Sequence, residues 1–267
     1  MAKSSAVPCE LLPAAPDGMS ADEGSCVMMP ELERRHVQRV YDAIANQWHG
    51  TRYKAWPNVV KFVEALPTGS LVADLGCGNG KLSPSFRANR HFGIGCDFSS
   101  ELVRISRAQM DLEAQVADVM ALPYRSGTFD AAVSIAVLHH VATVPRRRQL
   151  IQEALRILRP TGRALFYAWA MEQSNGRSGH EFDAQDVFVP WHQKKTEQLR
   201  QDPSAPENAH AADGSYMPEK AAFIYQRYCH VYREGELADL VSSIPCAKLL
   251  STYYDVGNWC AVVEKVE

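Results

Sequence analysis

Several features are missing from the 267-residue sequence, and each absence excludes a class of protein. No apolar run approaches the roughly 20 residues that a membrane-spanning helix requires, so we expect no membrane partner. The first 30 residues hold neither a secretory apolar core nor an Arg-rich transit peptide. The seven cysteines are odd in number and never arranged as Cys-x-x-Cys, so we expect no metal site and a reduced cytoplasmic or nuclear setting. Lys and Arg (28) do not outnumber Asp and Glu (31), which excludes a protein that coats nucleic acid through bulk positive charge.

The composition and length favour one globular domain, because 46% of the residues are hydrophobic. Residues 1–30 are rich in Ala, Ser, Pro and Gly without periodicity, and are predicted to be a disordered N-terminal tail. Residues 31–267 are predicted to form a single domain. It carries a polar insertion at about 172–221, which we interpret as a functional lid or a disordered segment.

Short apolar runs alternate with amphipathic helical stretches through most of this domain. Strands are predicted at 70–75, 91–96, 113–117, 128–135 and 163–169, and two more at 248–255 and 258–265. The alternation predicts an α/β fold with a mostly parallel sheet covered by helices on both faces. The last two strands, around a Val-Gly turn, predict an antiparallel terminal hairpin.

The strongest local signal is a glycine-rich turn after the first of these strands, Val72-Ala73-Asp74-Leu75-Gly76-Cys77-Gly78-Asn79-Gly80. Glycines allow positive φ and close approach of a ligand to the backbone. A P-loop would need Gly at position 75 and Ser or Thr at 82, and a dinucleotide fingerprint would need Gly at 81, but the residues are Leu75, Leu82 and Lys81.

The remaining pattern, Asp-x-Gly-x-Gly-x-Gly, resembles motif I of class I S-adenosylmethionine-dependent methyltransferases. The resemblance implies a Rossmann-like fold with a seven-stranded sheet, and S-adenosyl-L-methionine as cofactor, with S-adenosyl-L-homocysteine as product. It also implies that the turn holds the carboxylate end of the methionine moiety and that the acid faces its ammonium group. The candidate residues are Asp74, Gly76, Cys77, Gly78 and Gly80.

Two further acids end the next two strands, where open α/β sheets bind ligands. Asp97 lies 23 residues after Asp74 and is placed to accept hydrogen bonds from ribose hydroxyls. Asp118 is placed to accept from the adenine amino group, and the backbone N–H of Val119 can contribute to the same recognition.

A closer resemblance is carried by longer stretches. They are Ser134-Ile135-Ala136-Val137-Leu138-His139-His140, Thr51-Arg52-Tyr53-Lys54-Ala55-Trp56-Pro57, Tyr167-Ala168-Trp169-Ala170-Met171-Glu172-Gln173 and Tyr232-Arg233-Glu234-Gly235-Glu236-Leu237. From about residue 31 onward the chain is similar to the family that methyl-esterifies 5-carboxymethyluridine at the tRNA wobble position, giving 5-methoxycarbonylmethyluridine. A similar domain occurs in a vertebrate AlkB-like oxygenase fusion. The chain departs from the family pattern at residues 194–218 and at Cys229, where we expect an aromatic residue.

The resemblance gives candidates for substrate binding and catalysis. Arg52 is placed to grip the substrate carboxylate or a flanking phosphate, beside Tyr53. His139 or His140 is placed to donate to the carboxylate or to a uracil carbonyl, and the sequence does not separate their roles. Trp169 is placed to stack on the flipped uracil, although a tryptophan in the core is an equal alternative.

The resemblance also implies two macromolecular partners. Arg227, Tyr228 and Arg233 are candidates for contact with the tRNA anticodon loop. The alternative for each is that it lies on a solvated helix face without contacting RNA. The run from Arg146 to Arg148 hints at phosphate contact. The second partner is a small zinc-binding methyltransferase activator subunit, which makes a heterodimer and extends the sheet by strand pairing, with the third strand as the expected interface.

Two other functions remain open from the sequence. The glycine turn and the histidine pair equally allow a methyltransferase of a small carboxylic or phenolic metabolite. A non-catalytic paralogue that acts as a scaffold is the third interpretation, against which the intact Asp74, glycine turn and Asp97 argue.

Overall fold

The structure, a computed structural model, describes residues 7–8, 28–51, 55–173, 180–194, 214–217, 220 and 222–266. Arg52 and Tyr53 lie outside the described residues. No helix in the described part of the chain is both long and apolar enough to cross a bilayer.

The main sheet has seven strands. They are β2 (Leu71–Leu75), β3 (Phe92–Asp97), β4 (Glu113–Val116), β5 (Phe129–Ile135), β6 (Leu158–Trp169), β10 (Ala247–Asp255) and β11 (Asn258–Lys265), in the spatial order β10-β11-β6-β5-β2-β3-β4. The five strands from β6 to β4 are parallel, and β11 pairs antiparallel with both β6 and β10. The predicted parallel sheet with an antiparallel terminal hairpin is confirmed.

Helices cover both faces of this sheet. They are α1 (Glu31–Glu33), α2 (Arg39–His49), α3 (Pro57–Glu64), α4 (Ser83–Ala88), α5 (Ser100–Met110), α6 (Val144–Ile157) and α7 (Glu236–Ser242), with a π-helical stretch, Arg34–Gln38, joining α1 to α2. Because side chains alternate along a strand, Ala73 and Leu75 pack on the α6 and α7 side, and Val72 packs on the α3 and α4 side. Ser99 caps α5, since its hydroxyl accepts from the Leu102 N–H.

A second, antiparallel sheet follows β6 in the chain. It consists of β7 (Asp186–Lys194), β8 (Ser215–Met217) and β9 (Ala222–His230), together with β1 (Val7–Pro8), in the order β1-β7-β9-β8. The expectation of an insertion without regular structure is therefore wrong for β7 and β8. The expected disordered tail likewise contains a strand at β1, which pairs with Val187 and Phe188.

The second sheet packs against the helical segment that begins at Glu31. Tyr225 of β9 contacts Val40 and Ile44 of α2, and Tyr228 contacts Val37. A bridge between Ala170 and Tyr232 links this sheet to the end of β6. The second sheet consequently stands over the carboxyl ends of the main-sheet strands, where the predicted site residues lie.

Candidate active site

The glycine turn forms a cradle that only glycine can build. Gly76, Gly78 and Gly80 have φ values of +76°, +54° and +75°, a region that costs energy for residues with a Cβ. A Cβ on Gly76 would come within 2.2 Å of the Val137 side chain. Gly76 and Gly78 line the cavity described below, but Gly80 does not: it packs against Ser106 and Met110 of α5. Gly80 therefore shapes the turn from behind, and its contact with the cofactor stays a prediction.

Asp97 holds the turn in place. Its two carboxylate oxygens accept from the Gly78 N–H at 2.9 Å and the Ser99 N–H at 3.0 Å. Burial raises the pKa of Asp97 to about 6, against the opposing effect of these hydrogen bonds. The carboxylate thus links β3, the glycine turn and the start of α5.

Asp74 differs from Asp97 in having no donor. Its side chain is buried at the end of β2, and no N–H or O–H among the described residues donates to its carboxylate. Burial raises its pKa to about 7, while Lys81 acts in the opposite direction. A buried carboxylate without a donor is costly, so this position suits a ligand that brings a cationic donor of its own.

One cavity of about 470 Å³ connects these acids to the predicted catalytic residues. The predicted residues that line it are Asp74, Gly76, Cys77, Gly78, Asp97, Asp118, Val119, His139, His140, Trp169 and Arg227. Asp118 is partly engaged locally, because it accepts from the Met120 N–H at 2.9 Å. Lys81 and Tyr41 also line the cavity. Sequence reasoning missed both as cavity residues.

The hydrogen bonds separate the roles of the two histidines. His140 Nδ1 lies 2.7 Å from the Tyr228 carbonyl, to which it must donate, and its Nε2 accepts from the Tyr41 hydroxyl at 2.9 Å. His139 Nδ1 accepts from the Trp169 N–H at 3.3 Å, so its proton is on Nε2. Burial lowers the pKa of His140 to about 3 and that of His139 well below its usual range. Both rings are neutral, and only His139 keeps an N–H without a partner among the described residues.

Arg227 is the unexpected member of the site. Its side chain is 5% exposed, its Nε has no hydrogen-bond partner, and no carboxylate pairs with it in the described part of the chain. The guanidinium lies 5.8 Å from the Trp169 ring centroid and 5.3 Å from that of Trp191. Arg227 lies in β9 and faces the cavity, so the alternative of a solvated helix face is wrong. Its contact with the anticodon loop, which carries the wobble uridine, stays a prediction.

The other predicted tRNA contacts have different outcomes. Tyr228 is fully buried and its hydroxyl donates to Asp186 at 2.5 Å, so it is a structural residue and cannot reach an RNA loop. Arg233 is exposed beside α7, and its contact with tRNA stays a prediction. Arg146 and Arg147 are buried, and Arg146 forms an ion pair with Glu33 at 2.8 Å, which contradicts a phosphate contact for these two.

The cluster of His139, His140 and Cys229 is the one group in the described part of the chain whose ligand atoms lie close enough to hold a metal ion. Three of the four histidine nitrogens are already committed to hydrogen bonds. Burial raises the pKa of the Cys229 thiol to about 12. The donors therefore favour the hydrogen-bonded arrangement over a metal site.

Comparison with known proteins identifies the family. A profile described as "Methyltransferase domain" matches residues 73–166. The chain is 41% identical over 237 residues to the tRNA (carboxymethyluridine(34)-5-O)-methyltransferase of Schizosaccharomyces pombe. The aligned region covers 88% of this chain and 98% of that protein. This chain belongs to the tRNA (carboxymethyluridine(34)-5-O)-methyltransferase family. The resemblance stated from the sequence motifs is thereby confirmed.

The length of the relatives varies within the tRNA (carboxymethyluridine(34)-5-O)-methyltransferase family. The Xenopus tropicalis member is 38% identical over 270 residues, which is 88% of this chain and 41% of that protein. The chain thus spans less than half the length of the vertebrate relatives that it matches. A solved complex of the Haloferax volcanii Trm112 methyltransferase activator with a methyltransferase matches 90% of this chain and 100% of that chain, with a TM-score of 0.51 at 14% identity. This likeness and the matched domain confirm the predicted class I fold.

The residues of the cavity fit S-adenosylmethionine. Asp74 offers a carboxylate without a donor, which suits the ammonium group of the methionine moiety. The positive-φ glycine turn leaves room that a Cβ would fill. The cavity volume falls in the range of small-molecule sites, about 300–1,000 Å³. Membership of a methyltransferase family confirms this cofactor.

Proposed function

We propose that the chain transfers a methyl group from S-adenosylmethionine to the carboxylate of 5-carboxymethyluridine at the wobble position of tRNA. The observation that carries this proposal is Arg227, a buried guanidinium without an anionic partner in the described part of the cavity. A buried charge is stable only when it is paired. The substrate carboxylate supplies the missing anion, and family membership supplies the uridine to which it is attached.

The hydrogen-bond pattern favours a carboxylate over a phenolic substrate. A carboxylic acid with an ordinary pKa near 4 is already ionised at pH 7, whereas a phenol with a pKa near 10 needs a base. His139 has its proton on Nε2 and accepts at Nδ1, and both nitrogens of His140 are engaged. Neither histidine has a free lone pair, so neither can accept a proton from a phenol.

The cofactor, when bound, supplies a methyl group on a positively charged sulfur. The residues of the chain bind and orient the attacking group. Arg227 holds one oxygen of the substrate carboxylate and leaves the other free to attack. The Nε2–H of His139 is placed in the cavity to donate to the carboxylate or to a uracil carbonyl. Burial excludes water, which makes these charge interactions stronger and favours a reaction in which both charges disappear.

Two aromatic rings define where the uracil can lie. Trp191 contacts Arg227, and Trp169 stacks on His139 with ring centroids 4.9 Å apart at 23°. Stacking of the uracil on Trp169 remains our proposal for this ring. Arg52 and Tyr53 are proposed as a second contact with the substrate or a flanking phosphate. They are flanked by Thr51 and Trp56, which line the cavity.

The tRNA anticodon loop and an activator subunit are proposed as partners. A net charge of −3 predicts weak tRNA binding by the chain alone, so a partner must extend the RNA contact. β4 is an edge of the main sheet, and the large apolar side chains of Phe92 (69% exposed) and Val116 (57% exposed) lie on β3 and β4. An unpaired edge with exposed apolar residues suits strand addition by a zinc-binding activator.

We also propose a cytoplasmic or nuclear location. This location fits the free cysteines, which are Cys77, Cys96, Cys229, Cys246 and Cys260. Imaging of the tagged protein tests it.

The test is transfer of a tritiated methyl group to purified tRNA, with and without 5-carboxymethyluridine, in the presence and absence of the activator. We expect labelling only of the modified tRNA, and alkali-labile label because the product is an ester. Equal labelling of unmodified tRNA, or turnover of small acids or phenols without tRNA, would refute the substrate. Absence of any turnover with the activator present would favour the interpretation that the chain is a non-catalytic paralogue that acts as a scaffold.

Arg227 variants make the test specific. Arg227→Met is expected to lower turnover by about 10–100-fold, since a charged hydrogen bond is worth about 1.5–3 kcal/mol, with cofactor affinity unchanged. The turnover of Arg227→Lys is expected to lie between that of Arg227→Met and that of the wild type, because an ammonium group keeps the charge but lacks the planar fork of a guanidinium. Arg125→Met, on an exposed loop residue, serves as the control. Loss of cofactor affinity in Arg227→Met would move this residue out of the substrate site.

A further inference from the structure

A cluster of charged residues lies outside the cavity, on the other side of β9. We call it the His230 junction, and it consists of Asp186, His230, Glu236 and Arg147. His230 Nδ1 is 3.0 Å from Asp186 Oδ1, and its Nε2 is 2.7 Å from Glu236 Oε1. Arg147 lies 3.9 Å from the Asp186 carboxylate and 4.0 Å from that of Glu236. The junction thus ties β7 and β9 of the second sheet to α6 and α7 of the main domain.

The hydrogen bonds around His230 require its imidazole ring to be positively charged. Both nitrogens of His230 face carboxylate oxygens, which in their ionised form only accept hydrogen bonds. The two acids are ionised because hydrogen bonds from His230 hold their pKa values below the usual range, although burial acts against this. A neutral ring would place a lone pair against one of the carboxylates. The second proton on His230 is therefore part of the native arrangement.

Further donors reach the same two acids, while Arg147 donates to the Val141 and Ala142 carbonyls. The Tyr228 hydroxyl donates to Asp186, and Glu236 accepts from Gln185 Nε2 at 2.5 Å and from the Arg233 N–H at 3.1 Å. The Tyr232 ring contacts His230 edge-on, with centroids 5.0 Å apart. His230 and Arg147 together balance the two carboxylates.

The junction adjoins the part of β9 that serves the cavity. Arg227 points into the cavity, and the carbonyl of the next residue, Tyr228, orients His140. The side chains of Tyr228 and His230 point the other way and bind Asp186. Four consecutive residues of one strand therefore connect the proposed substrate contact to the junction, and a shift of this strand moves Arg227.

We propose that His230 is a positioning residue: its doubly hydrogen-bonded imidazolium fixes β9 on α6 and α7 and thereby sets Arg227 against the substrate. The proposal rests on the proposed function. Without the two imidazole hydrogen bonds, β9 is no longer held against α6 and α7, and the contact of Arg227 with the substrate carboxylate is misplaced.

The test compares His230→Gln with wild type in the tRNA methylation assay, with kcat and KM for the modified tRNA measured separately. We expect turnover to fall on the order of 10–100-fold, the cost of a small misplacement of a binding group, with S-adenosylhomocysteine affinity by calorimetry within about twofold of wild type. His91→Gln is the matched control, because His91 is also buried but bonds to the Val63 carbonyl, far from the junction. Wild-type turnover in a folded His230→Gln, or an equal loss in His91→Gln, would overturn the proposal.

A double-mutant comparison asks whether His230 acts through Arg227. Because coupled residues are not additive, His230→Gln should cause no further loss of turnover in an Arg227→Met background. The same fold-loss in both backgrounds would overturn the proposal. If the wild type itself does not methylate the modified tRNA, that result refutes the proposed function and not the role of the His230 junction.

Glu236→Gln keeps the size and an acceptor oxygen, and provides a milder variant if His230→Gln does not fold. A neutral amide bonds the His230 ring more weakly than a carboxylate does, so turnover should fall less than in His230→Gln, with cofactor affinity unchanged. Wild-type turnover in this variant would contradict the assigned role of the junction.

Discussion

Replacing Asp74 by Asn should make the protein more stable and at the same time weaken cofactor binding. The carboxylate of Asp74 is buried and lacks a donor among the described residues, and burial raises its pKa from 3.8 to about 7. A raised pKa means that ionisation costs free energy in the folded state. This cost is absent below the unfolded value, near pH 4, and is fully present above about pH 7.

The size of the effect follows from the pKa. A rise from 3.8 to about 7 corresponds to on the order of 4 kcal/mol of lost stability at pH 8. Asn removes the charge but leaves a buried amide, which costs about 1–3 kcal/mol. We therefore expect Asp74→Asn to raise the free energy of unfolding of the cofactor-free protein by about 2 kcal/mol at pH 8. For a domain of this size that is a rise in Tm of about 4–8 °C.

Cofactor affinity should change in the opposite direction. The variant loses the anion that faces the ammonium group, and a charged hydrogen bond is worth about 1.5–3 kcal/mol. This corresponds to an affinity for S-adenosylhomocysteine that is about 10–100-fold weaker in calorimetry. The stability gain should be almost lost near pH 4, where wild-type Asp74 is protonated in the folded state and about half protonated in the unfolded state.

Asp97→Asn provides the matched comparison. Burial raises the pKa of Asp97 less, to about 6, and both of its oxygens accept backbone N–H bonds, of which an amide can replace only one. This variant should therefore be less stable than Asp74→Asn at pH 8, while also binding cofactor more weakly. Thermal unfolding at pH 4 and pH 8 measures the contrast. If Asp74→Asn were destabilised at pH 8, the carboxylate would have a native donor and the reasoning would be refuted.

Three further predictions concern the site and its surroundings. Lowering the pH from 8 to 5.5 should weaken S-adenosylhomocysteine binding progressively, because Asp74 and Asp97 become protonated below about 7 and 6; a pH-independent Kd in calorimetry would contradict this. Gly76→Ala should abolish cofactor binding and cost more stability than Gly127→Ala, since both residues have positive φ but only Gly76 meets a side chain at 2.2 Å; equal unfolding midpoints in urea would argue against the clash. Tyr228→Phe should cost about 1 kcal/mol of stability through the lost hydroxyl bond, with tRNA affinity in the presence of the activator unchanged; a drop in tRNA affinity alone would return Tyr228 to the RNA surface.

The fold was largely predictable because its signals are local. Alternating apolar runs and helical periodicity located the strands of the main sheet, although β6 begins at Leu158, five residues before the predicted start. β9 went unnoticed for a physical reason. Residues 227–230 are buried on both faces of the strand, so no alternation of apolar and polar residues marks them. Arg227 and His230 in this segment look like solvent-exposed residues until the sheet forms around them.

The sequence by itself determined the cofactor end of the site: a glycine turn that requires positive φ, and acids at the ends of successive parallel strands. These features depend on backbone conformation and strand order over short distances. Only the tertiary structure decided the substrate end. It brought Arg227 to the cavity, assigned different protons to His139 and His140 through Tyr41 and Tyr228, and buried residues that looked like RNA contacts. Those outcomes depend on which polar groups are buried next to each other. His140 and Tyr228, for example, are 88 residues apart in the chain and meet only when the second sheet packs onto the first.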